Sequence, residues 1–437
     1  MGTVPEALNS RRYIRTLERL VEGSEVLSST EWDRRLGVCL DGEPARVLRQ
    51  EESPAQLRRQ GAYFTTRRLA SKLVEGVPVD PASASVYCDP ACGGGDLLIA
   101  VARSLPIGPT IPATLKLWSR RLAGCDISPE FVRLTKARLA LLAAKRCRLR
   151  PSLRAEELAS AFPRIEARDY LACGRGVRDA NFVLMNPPFA YAQTPDGCPW
   201  ATGRVNAAAL FLEKAVRESR EGTQVAAILP DVLRSGSRYE RWRRSIRVMA
   251  SIRGEHLLGL FDKWADVNVY QWDLVKKAPT QRTSGPSESS TPRNQGTVRA
   301  RFAVHVGPVV PHRHNEVGPE HPYVHARSLE AWGECGRVPE QRRFKGRLFQ
   351  PPFVAVRRTS RPSQKKRAVA TIVLGQESVA VENHLIVLSP RDGSLETCRE
   401  LMTRLKSGRT DRWINRRLCC RHLTIGVLAD MPWWREP

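Results

Sequence analysis

Apolar positions recur at helical spacing near the beginning of the chain. Between Arg12 and Val21, residues 13, 14, 17, 20 and 21 are apolar and would form one stripe along a helix. Charged side chains occupy most of the positions between them. We therefore predict a helical N-terminal arm over residues 1–55 that packs this stripe against the following domain.

From residue 56 to residue 277 short apolar runs alternate with longer amphipathic stretches. The runs of strand type are Val86–Cys88, Leu122–Asp126, Asn181–Met185 and Val225–Pro230. Strands that alternate with helices favour a mostly parallel sheet covered by helices on both faces. The pattern therefore predicts an α/β domain with a doubly wound sheet over 56–277.

The pattern changes again after this domain. Residues 278–297 are rich in Ser, Thr, Pro and Gly, which is the composition of a linker. Beyond the linker, short β-like runs are separated by basic turns; they are Pro352–Arg357, Ala368–Leu374 and Leu385–Leu388. A chain of 437 residues also exceeds the usual size of a single core. Residues 298–437 are therefore predicted to form a smaller, β-rich C-terminal domain.

A glycine-rich motif follows the first apolar run of the α/β segment. It reads Asp89-Pro-Ala-Cys-Gly-Gly-Gly-Asp96, and Leu97 then begins a helical stretch. Glycines 93 to 95 permit a tight turn close to a ligand. A nucleoside-type cofactor commonly lies over such a turn, at the carboxyl edge of a parallel sheet. Taken alone, this turn is weak evidence for a nucleotide site.

A second motif, Asn186-Pro-Pro-Phe189, ends the apolar run 181–185. The planar Asn amide can accept an N–H from an exocyclic amine. The two prolines fix the backbone and remove its donors, which leaves carbonyl oxygens to accept the second amine hydrogen. An aromatic side chain such as Phe189 can stack on a planar base. The tetrapeptide is therefore suited to an aromatic amine whose lone pair must stay available.

The order of these motifs resembles that of the amino-group DNA methyltransferases of the adenine-N6 type, which use S-adenosylmethionine. Gly61-Ala-Tyr-Phe-Thr-Thr66 precedes the glycine-rich turn and is similar to the family's first cofactor segment, with Thr66 where proline is usual. In the family, an acidic residue at a strand end and a second acidic residue follow the glycine-rich turn. Asp126, which ends the next apolar run, matches the first of these, and Asp169 matches the second. The resemblance covers roughly residues 55 to 277, and the later runs 258–261 and 267–270 resemble the closing strand pair of the family.

The resemblance implies a class I methyltransferase-like sheet, S-adenosylmethionine as cofactor and a role for each matching residue. Asp126 would bind the ribose hydroxyls of the cofactor, Asp169 its adenine amino group, and Phe261 would be a second stacking residue for the substrate base. The implied catalytic residues are Asn186, Pro187, Pro188 and Phe189. The implied cofactor-binding residues are Tyr63, Thr65, Asp89, Pro90, Ala91, Cys92, Gly93, Asp126, Ile127, Asp169, Tyr170 and Asn186.

Each residue taken singly also has an ordinary structural interpretation. An isolated Asp such as Asp126 or Asp169 usually caps a helix or ends a strand. An isolated Phe usually belongs to the core, and the two threonines 65 and 66 suit the N-cap of a helix over Arg67–Glu75. The Asn-Pro-Pro sequence is harder to explain in this way, because a plain turn does not require two prolines after a strand.

The charge of the chain indicates a polyanionic partner. Lys and Arg number 70 against 45 Asp and Glu, a formal charge of +25. Such an excess neutralises phosphates and releases counterions, which gives an affinity that falls steeply with salt. The C-terminal domain has about twice as many positive as negative side chains, and it resembles the target-recognition domain of the same family. The residues predicted to contact double-stranded DNA are Arg357, Arg358, Lys365, Lys366, Arg367, Arg416 and Arg417.

Other classes of site and location receive no support from the sequence. No apolar run approaches the roughly 18 residues of a membrane-spanning helix, and the first residues lack the pattern of a signal peptide. A cytoplasmic location is therefore expected, in which the 11 cysteines would be reduced. Cys419, Cys420 and His422 form the one tight cluster of metal-binding residue types, and adjacent cysteines suit zinc poorly. We predict no metal site.

The predicted reaction is the transfer of a methyl group from S-adenosylmethionine to the N6 amine of an adenine extruded from a specific double-stranded DNA sequence, as part of a restriction-modification or other phage-defence system. A separate restriction endonuclease or other defence protein is a candidate partner. Three alternatives stay open. The protein could be an RNA or protein-glutamine methyltransferase, or a cytosine-N4 methyltransferase, although Asn186 argues against the latter. It could also be a DNA-binding subunit of a larger defence assembly whose methyltransferase site is silent or partner-dependent.

Overall fold

The computed structural model describes residues 10–42, 44, 46–47, 65–80, 83–173, 177–261, 267–278, 296–312, 315–360, 364–418 and 422–434. The chain divides into two compact units. The first comprises Met1–Arg234 and Arg238–Gln281, and the second comprises Arg282–Pro437 together with Ser235–Ser237. The predicted N-terminal arm and the predicted α/β domain thus share one unit.

The first unit alternates helices and strands over most of its length. Its helices are α1 (Ser10–Glu22), α2 (Ser29–Cys39), α3 (Arg67–Glu75), α4 (Asp96–Ala102), α5 (Ile111–Ser119), α6 (Pro129–Cys147), α7 (Ala155–Ser160), α8 (Ala207–Glu218), α9 (Asp231–Ser235) and α10 (Glu240–Met249). Its strands are β1 (Tyr87–Asp89), β2 (Leu122–Asp126), β3 (Ile165–Ala167), β4 (Phe182–Met185), β5 (Tyr191–Gln193), β6 (Arg204–Asn206), β7 (Gln224–Pro230), β8 (Ala250–Leu260) and β9 (Asn268–Lys276).

Seven of these strands form one sheet in the order β3-β2-β1-β4-β7-β9-β8. The pairings from β3 to β7 are parallel, and β9 and β8 close the edge in antiparallel fashion. Strands β1 and β4 are buried throughout, as expected for a parallel sheet with both faces covered. The predicted α/β fold with a doubly wound, mostly parallel sheet is confirmed. The order also places the ends of β1, β2 and β4 side by side.

The apolar stripe of the N-terminal arm is buried in the core of this unit. Tyr13, Ile14, Leu17, Leu20 and Val21 all belong to the same cluster as the sheet residues. Helix α1 packs against α6, and the periodicity of the sequence thus gives the correct buried face.

The second unit contains two small sheets and four helices among its described residues. The strands are β10 (Phe302–Val306), β11 (Glu320–Val324), β12 (Glu334–Cys335), β13 (Gln341–Arg343), β14 (Phe353–Arg357), β15 (Ala370–Val373), β16 (Ala380–Val381) and β17 (Leu385–Pro390). One sheet has the order β10-β17-β14-β15-β12, and the other has the order β13-β11-β16. The helices are α11 (Val298–Arg301), α12 (Leu395–Lys406), α13 (Gly408–Arg417) and α14 (Ile425–Ala429).

Side chains of the larger sheet alternate between two cores. Val354 and Val356 of β14 join one cluster, whereas Phe353 and Ala355 join another. This alternation follows from the two-residue period of a strand. The first cluster is completed by helix α12, whose buried residues include Leu401.

The helices at the C-terminal end are an addition to the predicted pattern. The structure has a strand in each of the β-like runs that the sequence predicts, 352–357, 368–374 and 385–388. The run from 395 to 406 instead has apolar residues at helical spacing and caps its first turn with Ser394. In the described parts of the chain, no helix combines the length and the hydropathy that a membrane span requires.

Candidate active site

A cavity of about 570 Å³ opens at the carboxyl ends of β1, β2 and β4. Its walls come from the glycine-rich turn, the two acidic positions and the tetrapeptide, so the tertiary structure brings the separate sequence motifs to one place. The lining residues are Thr65, Asp89, Pro90, Ala91, Cys92, Gly93, Gly94, Asp96, Leu97, Asp126, Ile127, Ser128, Phe131, Arg168, Asp169, Tyr170, Leu171, Asn186, Pro188, Ala190, Ala192, Ala207 and Phe211.

The glycine-rich turn is held close to helix α6. Gly95 has a φ of +83°, and a Cβ placed there would lie 2.8 Å from Cγ2 of Thr135. Thr135 donates its hydroxyl to the carbonyl oxygen of Gly93 at 2.8 Å. Both the left-handed backbone and the close approach therefore require glycine at position 95.

Asp89 ends β1 inside the cavity wall. Its side chain is buried, and Oδ1 accepts a hydrogen bond from the backbone N–H of Ala91 at 3.0 Å. Burial raises the pKa of this carboxyl to about 8, and the neighbouring carboxylates of Asp126 and Asp96 add to the increase. Three carboxyl groups thus share the region around the turn, and a positively charged ligand would stabilise their ionised forms.

Asp126 ends β2 beside the same turn. Its Oδ2 accepts the N–H of Gly93 at 3.0 Å, and its Oδ1 accepts the N–H of Ser128 at 2.9 Å. Burial raises the pKa of Asp126, while these backbone donors oppose the shift. The following residue, Ile127, is 75% exposed although it is a large apolar side chain. Together with Phe131 it offers an apolar surface at the edge of the cavity.

Asp169 and Tyr170 follow β3 and also line the cavity. Asp169 accepts the backbone N–H of Leu171 at 2.8 Å and so stabilises the turn after the strand. Tyr170 is buried, and its ring packs at 5.4 Å from that of Phe211. Burial raises the pKa of its phenol. Tyr170 thus serves as an apolar wall residue.

Asn186 lies at the end of β4 and is 9% exposed. Its Nδ2 donates to the hydroxyl Oγ1 of Thr65 at 3.0 Å, across 121 residues of sequence. This bond fixes the amide plane and assigns its donor end to Thr65. Thr66, the next residue, caps helix α3 through the backbone N–H of Leu69. Of the two threonines considered as caps, Thr66 has that role and Thr65 orients Asn186.

The two predicted stacking residues contact each other. The rings of Phe189 and Phe261 lie 5.8 Å apart with an interplanar angle of 82°, an edge-to-face arrangement. Both are buried. Asn186 and Pro188 line the cavity, whereas Pro187, Phe189 and Phe261 do not. The two aromatic residues therefore form a corner beside the cavity.

Most of the residues implied by the resemblance surround one space, and some others were missed. Tyr63 lies outside the described residues. Sequence reasoning missed the contributions of Ser128, Phe131, Ala207 and Phe211. Ser128 and Phe131 could have been anticipated from their position directly after the acidic end of β2. Ala207 and Phe211 carry no such signal, because helix α8 reaches the cavity only through the tertiary fold.

The basic residues predicted to contact DNA differ in how far the structure buries them. Arg367 is fully buried, and its guanidinium donates to Ser360 Oγ, Asn415 Oδ1 and the carbonyl oxygen of Leu418. Because its donors are used inside the second unit, Arg367 is withdrawn from the predicted DNA contacts. Lys365, Arg416 and Arg417 are exposed.

The remaining three basic residues of the predicted set are partly buried. Arg357 and Arg358 donate to the carbonyl oxygens of Leu329 and Asn383. Lys366 donates to the carbonyl oxygen of Lys406. These side chains support their own unit through such bonds.

The cavity suits S-adenosylmethionine on two observations. The buried carboxyl of Asp89, with its raised pKa, would be stabilised as an anion by a ligand that carries positive charge. The exposed Ile127 and the adjacent Phe131 provide the apolar contact that a nucleoside base prefers. The residues present therefore fit the cofactor that the sequence implies.

Residues 48–246 match the profile of the family described as N-6 DNA Methylase. The match confirms the resemblance to the adenine-N6 DNA methyltransferases that was drawn from the motifs, and S-adenosylmethionine is the cofactor that it implies. No curated protein matches the chain.

Several solved structures are similar to the chain. The type IIL restriction-modification enzyme MmeI, solved in complex with DNA, is 11% identical, with a TM-score of 0.49 over 98% of this chain and 70% of that one. The type IIG restriction endonuclease BpuSI is 14% identical, with a TM-score of 0.43 over 92% and 61%. A type I restriction-modification methyltransferase subunit from Streptococcus thermophilus is 16% identical, with a TM-score of 0.35 over 50% and 45%. The chain thus spans less than two thirds of the last two proteins.

Proposed function

We propose that this protein transfers a methyl group from S-adenosylmethionine to the N6 amine of an adenine that is extruded from a specific sequence of double-stranded DNA. We further propose that it modifies DNA within a restriction-modification or other phage-defence system. The observation that carries the proposal is the placement of Asn186. Its amide is fixed by Thr65 at the wall of the same cavity that contains Asp89 and Asp126.

One group of residues around the cavity would bind the cofactor, and another would bind the substrate base. Asp126 would accept hydrogen bonds from the ribose hydroxyls of the cofactor, and Ile127 and Phe131 would contact its base. Asp89 supplies negative charge near the glycine-rich turn. When bound, S-adenosylmethionine provides a methyl group that is activated by the positive charge on its sulfur.

The tetrapeptide would hold the substrate amine. Asn186 Oδ1 would accept a hydrogen bond from one N6 hydrogen, and the backbone carbonyl beside Pro187 would accept one from the other. The nitrogen lone pair would then be free to face the methyl group of the bound cofactor. Phe189 and Phe261 are buried outside the cavity lining, so stacking of the base on them would require their side chains to move. No strong general base is required, because the amine can release its proton to water after the transfer. Alignment of the two reactants would supply much of the rate enhancement.

The target adenine has to leave the duplex before it can enter such a cavity. Extrusion costs a few kcal/mol, and contacts to the flanking DNA can offset this cost. The formal charge of +25 favours such contacts. We propose that exposed basic residues of the second unit, among them Lys365, Arg416 and Arg417, position the duplex.

The direct test is to incubate unmethylated DNA with S-adenosylmethionine that carries a labelled methyl group and to digest the DNA to nucleosides. Label in N6-methyladenine is the expected result. Label in N4-methylcytosine, or label in protein with none in DNA, would overturn the proposal. Sequencing of the methylated positions would then give the recognition sequence.

Substitution of Asn186 tests its assigned role. Asn186→Ala removes the acceptor for the amine, and we expect methyl transfer to fall by at least about a hundredfold, in line with the loss of a positioned polar group at a reacting centre. DNA binding, measured by fluorescence anisotropy, should stay within a few-fold of the original protein.

A matched control lies at the other end of the same strand, β4. Asn181 precedes β4, and its Oδ1 accepts the backbone N–H of Val86 at 3.0 Å, away from the cavity lining. Asn181→Ala should therefore retain transfer. If Asn186→Ala also abolishes DNA binding, or if both variants lose transfer equally, the effect is one of folding and the assignment of Asn186 is wrong.

A further inference from the structure

The chain leaves the Asn-Pro-Pro-Phe tetrapeptide in a hairpin and returns to the same point. Strand β5 begins at Tyr191, two residues after Phe189, and pairs with β6 in antiparallel fashion. The returning strand ends at Asn206, and the N–H of Ala207 donates to the carbonyl oxygen of Ala190 at 2.7 Å. Helix α8 then starts, and its Ala207 and Phe211 line the cavity. The tetrapeptide and the helix are thus joined at a single position.

Asn206 makes three hydrogen bonds at this position and is buried. Its Nδ2 donates to the carbonyl oxygen of Phe189 at 2.8 Å. Its Oδ1 accepts the N–H of Ala208 at 3.1 Å, which caps helix α8. Its backbone N–H donates to the hydroxyl of Tyr239 at 2.9 Å. One amide therefore ties the last residue of the tetrapeptide to the first turn of the helix.

We propose that Asn206 is a positioning residue for methyl transfer, which acts by fixing the backbone of the tetrapeptide. This inference rests on the proposed function. The amine is to be held by Asn186 Oδ1 and by a backbone carbonyl of the tetrapeptide, so the reaction depends on the placement of that backbone. A displacement of about 1 Å can cost roughly a hundredfold in rate. The bond from Asn206 Nδ2 to the carbonyl oxygen of Phe189 restrains the backbone at the last residue of the tetrapeptide.

The two side-chain functions of Asn206 can be separated by substitution. Asp and Ser are as good as Asn as N-cap residues, because each provides an oxygen to the N–H groups of the first turn. Neither supplies the amide donor to Phe189. Asn206→Ser removes the donor and is too short to replace it. Asn206→Asp is isosteric but places a carboxylate oxygen against the Phe189 carbonyl oxygen, which repels it.

The experiment measures methyl transfer to unmethylated DNA by the full-length protein and both variants. At pH 8 we expect kcat to decrease in the order Asn, Ser, Asp, with Asn206→Asp reduced by roughly 10- to 100-fold. The KM for the cofactor should change little in both variants, since the helix cap is retained. The melting temperature should fall more for Asn206→Asp than for Asn206→Ser, because only the former buries a carboxylate. The deficit of Asn206→Asp should shrink as the pH falls, because a protonated carboxyl can donate to Phe189. Equal kcat values for all three proteins would overturn the proposal.

A second readout needs neither cofactor nor activity. Hydrogen–deuterium exchange of the free protein should be faster in Asn206→Asp for peptides that cover residues 186–193, and unchanged for peptides that cover β1 and β2. Unchanged exchange at 186–193 would also contradict the inference. If the original protein methylates no DNA, the proposed function fails, and this exchange measurement still decides whether Asn206 restrains the tetrapeptide.

Discussion

At the scale of single residues, the chemistry of the candidate site depends on side chains whose environment differs from water. Asp89 is buried near two other carboxyl groups, which raises its pKa to about 8. The amide of Asn186 donates a hydrogen bond to the hydroxyl of Thr65. Thr65 and Asp126 are distant in sequence from the residues they affect, and both effects have measurable consequences.

The raised pKa of Asp89 predicts the pH dependence of cofactor binding. In the free protein this carboxyl is protonated below pH 8, and a cationic ligand prefers its ionised form. The affinity for S-adenosylmethionine should therefore increase from pH 6 to pH 8, by up to roughly tenfold per pH unit for one linked proton, and then level off. Isothermal titration calorimetry at several pH values measures this dependence.

The matched variant Asp89→Asn lacks the titrating group, so its affinity should depend less on pH. An identical dependence in both proteins would show that another group is responsible.

The free energy of unfolding should depend on pH in the opposite direction. Because the pKa of Asp89 in the folded protein lies above its ordinary value of 3.8, the contribution of Asp89 to the free energy of unfolding should decrease as the pH rises from about 4 to about 8.

At the scale of secondary-structure elements, a buried arginine joins the glycine-rich turn to the N-terminal helices. Arg138 of α6 is 0% exposed and donates Nε to the carbonyl oxygen of Cys39 at 2.8 Å. Its Nη2 pairs with Asp96 Oδ1 at 2.9 Å, and its Nη1 donates to the carbonyl oxygen of Gly94. The end of α2, the turn and the start of α4 are therefore held by one guanidinium.

Removal of this guanidinium should be costly. Arg138→Met leaves Asp96 without its buried partner and should lower the free energy of unfolding by about 3–5 kcal/mol, as measured by urea denaturation. Arg133→Met is the matched control on the same helix, because the pair of Arg133 with Glu18 is largely exposed at the arginine and should contribute at most about 1 kcal/mol. Equal losses in the two variants would contradict the structural role assigned to Arg138.

At the scale of the whole molecule, the excess of basic side chains is spread over both units, and the structure decides which of them are accessible. Lys365 and Arg416 are exposed, whereas Arg367 is enclosed. Sequence-independent attraction to DNA depends on exposed charges, each of which can neutralise one phosphate. The second unit therefore retains fewer candidate contacts than its composition alone suggests.

Single alanine substitutions test the contribution of the second unit to DNA binding. Lys365→Ala and Arg416→Ala should each weaken binding across DNA sequences and reduce the slope of log K against log salt by about 0.9, the value for one phosphate contact. Fluorescence anisotropy over a salt series measures the slope. Arg120→Ala, an exposed arginine of the first unit, is the control for a change of net charge. Slopes that fall equally in all three variants would remove the assignment to the second unit.

The sequence by itself determined the features that depend on local pattern. The stripe of Tyr13 to Val21 gave the buried face of α1, and the apolar runs gave the strands that end at Asp89, Asp126 and Met185. Because parallel strands present their carboxyl ends at one edge, the order of the motifs was enough to predict a common site.

Only the tertiary structure decided which side chains meet across the fold. The bond from Asn186 to Thr65, the bond from Asn206 to Phe189 and the burial of Arg138 and Arg367 depend on strand register and helix packing. A basic residue looks the same in sequence whether it lies on the surface or bonds to carbonyl oxygens inside a unit. Periodicity specifies which face of an element is buried, whereas pairing between distant elements is set by how all of them pack together.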